Sequence, residues 1–175
     1  YENMEKAAKA LQTSVKNLQN INLGTDTDKE DTQDSIKKKL FEQIDEFVGD
    51  YNSLYKFLEQ AGGTTNSMFQ KQLKSSFTTN QKDLAEIGIT MDAKGTLSVD
   101  SKTLEAADVD KLQKIFCDKD SFAARVSDKC ETIKSCANST IKVLNRMYGT
   151  QTAYNRYGTN GYYYGSSGSR YNAKS

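Results

Sequence analysis

Three thiols and a run of alternating carboxylates are the groups in this chain whose types admit chemistry. The thiols are Cys117, Cys130 and Cys136, none of them in a C-x-x-C pair. A zinc site needs four N or S ligands, and the chain contains no His to complete one. A catalytic thiol needs an adjacent base, usually His, so no Cys nucleophile is expected. Cys130 falls on an apolar helical position and reads as a small core hydrophobe; one disulfide within the set stays open. Asp26, Asp28 and Glu30 alternate as in a calcium loop, which requires Gly at its sixth position and a bidentate Glu at its twelfth. Those positions hold Asp31 and Lys37. The segment Thr25 to Asp31 is better read as the acidic start of a helix, where carboxylates oppose the dipole and cap free N–H groups.

The remaining candidates fail on context. Ala61-Gly62-Gly63-Thr64 is too short for a phosphate loop and lacks the following Lys. No nucleophile elbow or Ser-x-x-Lys stands in a catalytic setting. Asn138-Ser139-Thr140 matches a glycosylation acceptor but falls inside a predicted helix. Asp45 and Glu46 belong to a solvated helical face. We therefore expect no enzyme, no cofactor, no metal, no small-molecule substrate and no nucleic-acid partner.

The elements that carry these residues are mostly helices. Hydrophobic residues are 36% of the chain and charged ones 27%, which suits a narrow apolar seam better than a thick core. Absent Pro fits long uninterrupted helices. From Glu2 to Ile21, Met4, Ala8, Leu11, Val15 and Leu18 recur in steps of four and three, a coiled-coil stripe that Gly24 stops. A second helix, from about Asp28 to Gln60, carries Ile36, Leu40, Ile44, Phe47, Tyr51, Leu54 and Leu58, widened by Phe41, Val48 and Tyr55. Gly62-Gly63 ends it. Thr65 to Phe77 forms a shorter helix with Met68, Phe69, Leu73 and Phe77 on one side.

Strand alternation appears between Ile87 and Val99. Ile87, Ile89 and Met91 alternate with Gly88 and Thr90, and Leu97 and Val99 with Thr96 and Ser98. Asp92-Ala93-Lys94-Gly95 between them has the Asp-opened, Gly-closed pattern of a hairpin loop. A lone hairpin is marginal in water, so it should lie on the helices. Asp100 or Ser101 can cap a helix through Phe116. The last helix carries Phe122, Val126, Cys130, Ile133, Ala137, Thr140, Leu144 and Met147 at steps of four and three. The expected fold is mainly α: an elongated antiparallel helical bundle, coiled-coil-like, with one small β-hairpin packed on it. Its seam is Leu11, Val15, Leu18, Leu40, Ile44, Phe47, Tyr51, Leu54, Leu58, Phe122, Val126, Ile133 and Leu144.

We expect the bundle to span 1–147 and a separate tail 148–175. That tail holds seven of the ten tyrosines and five glycines, with no periodicity. All 23 acids lie at or before Glu131, so the segment from Thr132 onward is +6 and the remainder −5, giving the net +1. Within the tail, Tyr154, Tyr157, Tyr162, Tyr163 and Tyr164 are the candidate contacts. No apolar run reaches the roughly 20 residues of a membrane span. Tyr1 to Leu23 is amphipathic rather than a signal peptide, so export is expected without a cleaved signal. A first residue other than Met suggests a processed or trimmed chain.

The stretch Leu84-Ala85-Glu86-Ile87-Gly88-Ile89-Thr90-Met91-Asp92-Ala93-Lys94-Gly95-Thr96-Leu97-Ser98-Val99-Asp100 resembles the hallmark of the flagellar filament-capping family, hook-associated protein 2. Its hairpin residues Ile87, Gly88, Ile89, Gly95 and Leu97 carry the motif. Leu104 to Ala107, Leu112 to Phe116 and Phe122 to Val126 continue the likeness, and Ile44 to Leu54 is similar to that family's I-x-x-F-V-x-x-Y-N-x-L helix. The resemblance covers about Asp26 to Ile133. It implies the helical stem of the family's fold and a structural role at the bacterial flagellum, outside the cell. The implied contacts are with copies of itself, flagellin or other flagellar axial proteins. Only Leu23-Gly24-Thr25 separates the outgoing and returning helices, so the family's inserted β-rich heads are expected to be missing, as is its heptad-rich terminal extension. An alternative is a surface or extracellular module whose cationic, tyrosine-rich tail recognises a glycan or a protein.

Overall fold

The computed structural model describes residues 1–21 and 33–148. The Gly24 stop, the acidic segment, the first residues expected of the second helix and the five tail tyrosines lie outside the described residues. The chain divides into two units, Tyr1–Ile141 and Lys142–Ser175.

In the first unit, α1 (Glu2–Gln19) buries Met4, Ala7, Ala8, Leu11, Val15 and Leu18, the residues spaced to share one face. Glu2 and Glu5 in its first turn and Lys16 in its last oppose the helix dipole. It packs on α2 (Gln33–Ala61), whose Leu40, Ile44, Phe47, Tyr51, Leu54 and Leu58 are all fully buried. Ser14 donates to Asp50 Oδ2 at 2.5 Å between the two helices, which satisfies the buried Ser14 hydroxyl.

Gly62 and Gly63 turn the chain into α3 (Gly63–Thr79). Phe47 and Phe77 sit equally far on either side of Gly62, and both rings meet that of Phe122. The two helices therefore run antiparallel, as an α-hairpin. Phe69, Leu73 and Phe77 of α3 are buried, but Met68, expected beside them, is exposed. Asn66 is the buried residue on that turn, donating to Gly62 O at 2.7 Å. A short α4 (Gln81–Glu86), unforeseen in the sequence, leads to the hairpin of β1 (Ile89–Met91) and β2 (Leu97–Val99).

The strands pair antiparallel with Ile89 opposite Val99 and Met91 opposite Leu97. Ile87 and Gly88, read as strand, instead close α4: their N–H groups bond to Leu84 O and Ala85 O. The cause is local, because Gly88 adopts φ +84°, a left-handed helix stop rather than an extended residue. Ile87 is nonetheless fully buried. The stretch expected as one helix to Phe116 is two, α5 (Ser101–Ala106) and α6 (Val109–Phe116). Asp108 breaks it by accepting from Asp110 N at 3.1 Å, a local cap that competes with helix continuation. Asp100, not Ser101, caps α5, accepting from Lys102 N and, at 2.6 Å, from the Thr103 hydroxyl.

The last helix, α7 (Phe122–Tyr148), buries Phe122, Val126, Cys130, Ile133 and Ala137. Phe47, Phe77, Phe116 and Phe122 meet edge to face with centroids 5.6 to 6.4 Å apart, the favoured geometry for aromatic rings. The fold class is thus mainly α with one small hairpin, as expected. The second unit is described only at 142–148, the closing turns of α7.

Candidate functional site

The hairpin and the helix that holds it form the most specified polar construction on the molecule. Asn52 of α2 makes both halves of a backbone-like pair with β2: its Nδ2 donates to Leu97 O at 2.9 Å and its Oδ1 accepts from Leu97 N at 2.8 Å. An edge strand's free N–H and C=O are thereby satisfied by one amide side chain. The loop closes on itself, with Asp92 Oδ1 accepting from Thr96 N at 2.8 Å and Gly95 N donating to Asp92 O at 3.0 Å. Gly95 has φ +95°, and a Cβ there would run into the Tyr55 ring. Gly88 is equally constrained, since a Cβ would stand 2.8 Å from Asp100 O. Asp100 N donates to Gly88 O at 2.8 Å and ties the foot of the hairpin. Lys74 of α3 donates to Ala93 O at 3.2 Å, so the loop tip is held as well.

The hairpin residues expected from sequence come together here: Ile87, Ile89 and Leu97 point into the core, while Thr90 and Ser98 hydrogen-bond across the outer face at 2.9 Å. Asn52 and Tyr55 were missed as the partners of the loop. Asn52 stands in the Ile44–Leu54 stretch, but its partner lies 45 residues away and no local signal pointed to it. The seam residues Leu11, Val15, Leu18, Leu40, Ile44, Phe47, Tyr51, Leu54, Leu58, Phe122, Val126 and Ile133 are all buried.

Leu144 departs from that set. It is 38% exposed, and Val143, Met147 and Tyr148 are 51%, 61% and 63% exposed. The heptad spacing continues through these residues, but no described residue covers them, which is why the periodicity alone placed Leu144 in the seam. Val143 with Met147 and Leu144 with Tyr148 form two adjoining rows on one face of α7. Lys142 and Arg146 form a row on the other side.

Cys117 and Cys130 are held in their neutral thiol form. Burial pushes Cys130 up to about 12, with the Asp50 and Glu131 charges adding and Lys134 opposing. Burial, then the Asp118 charge, raises Cys117 to about 11. All three thiols are free. Among the described residues no three His, Cys, Asp or Glu side chains gather as a metal site, and no helix is long and apolar enough to cross a membrane. Asp45 and Glu46 are solvated. In Asn138-Ser139-Thr140 both hydroxyls bond back to carbonyls one turn earlier, at 3.0 Å each, within α7. The surface depressions beside Glu131–Ser139 and between Asp83, Glu86, Lys111 and Lys114 are open to solvent.

Residues 61–159 match the model of a family described as flagellar hook-associated protein 2 C-terminus. The matched stretch is more than half of the chain and takes in α3, the hairpin and α7. It begins downstream of the Ile44–Leu54 helix motif and runs past Ile133, where the resemblance read from sequence ended. No curated protein and no solved structure matches the chain.

Proposed function

The chain belongs to the flagellar hook-associated protein 2 C-terminus family, and from that membership we propose that it is a cap-like or axial assembly protein of the bacterial flagellum. It works by contact rather than by turnover, either with copies of itself or with flagellin and other axial proteins. The carrying observation is the family match across the hairpin and α7. A hairpin clamped by Asn52, Tyr55, Lys74 and Asp100 suits such a role, because a surface already ordered by its own packing loses little entropy when a partner covers it. The proposed location is extracellular, on the flagellum.

Light scattering coupled to size-exclusion chromatography, over a range of concentrations and with or without flagellin, tests this reading. A defined oligomer or a flagellin complex is expected. A monomer at every concentration that also ignores flagellin and hook-junction proteins overturns it. The second reading, a surface module acting through a separate tail at 148–175, is favoured by the concentration of tyrosines in a segment without carboxylates. Removing 148–175 separates the two: binding lost with the bundle intact assigns recognition to the tail.

A further inference from the structure

We draw no further inference here: the strongest candidate, the exposed apolar face that Val143, Leu144, Met147 and Tyr148 form at the end of α7, carries none because nothing in the structure shows what covers it.

Discussion

Tyr51 is the largest side chain fully inside the core, and its hydroxyl has no hydrogen-bond partner among the described residues. Burial, then the neighbouring Tyr55 and Cys130, raises the phenol well above its usual range, so it stays neutral at any physiological pH. An unsatisfied buried hydroxyl contributes a desolvation cost and nothing in return. Tyr51→Phe should therefore leave the melting temperature unchanged or raise it, by at most about 1 kcal/mol of stability; a loss of more than about 2 kcal/mol would mean the hydroxyl is bonded after all. The stacking of Tyr51 on Tyr55, centroids 6.1 Å apart, survives that change. The same burial governs the thiols. With pKa raised to about 12, Cys130 holds almost no thiolate at pH 8, and the more accessible Cys117, at about 11, holds only a little. Alkylation by iodoacetamide should accelerate as pH rises toward 11 for Cys117. Cys130 should remain unmodified until denaturant is added, which peptide mass mapping checks; labelling of Cys130 in the native state at pH 8 would contradict its burial.

The hairpin element depends on groups that lie outside it. Asn52→Ala strips Leu97 of both partners, exposing a strand edge that no other described side chain satisfies. We expect a loss of about 2–3 kcal/mol in urea unfolding, and fast hydrogen exchange confined to the hairpin amides. Gly95→Ala should cost at least 1 kcal/mol, from the left-handed backbone and the overlap with Tyr55, and Tyr55→Ala should recover part of it. At this scale the sequence was informative where periodicity or turn chemistry decides. The stripes of α1, α2 and α7 and the Asp92–Gly95 loop follow from spacing and residue type alone. It was uninformative where a single local competitor wins. Gly88 ended a strand pattern by acting as a helix stop, and Asp108 split one apolar stripe by capping α6. Asn52 was readable as polar on a helix face, but its partner lies 45 residues away, and nothing local announces such a pairing. Met68 and Leu144 show the complementary failure: apolar spacing identifies a face without saying whether a neighbour is there to cover it.

At the scale of the whole chain, one ring holds several elements together. Phe122 meets Phe47 of α2, Phe77 of α3 and Phe116 of α6. Phe122→Ala should destabilise the fold by about 3–5 kcal/mol, whereas Leu144→Ala should change stability by less than about 0.5 kcal/mol, compared by equilibrium denaturation of the two variants. Equal losses would place both residues in one core. The bond between Gln12 and Glu131, at 2.8 Å, and that between Lys134 and Gln12, at 3.2 Å, join the first helix to the last across nearly the full described length. Such remote pairings form only once the two ends of the described chain have been brought together. A chain fed out from its N-terminus would hold the apolar faces of α1 and α2 only half covered until Phe122 and the turns behind it arrived.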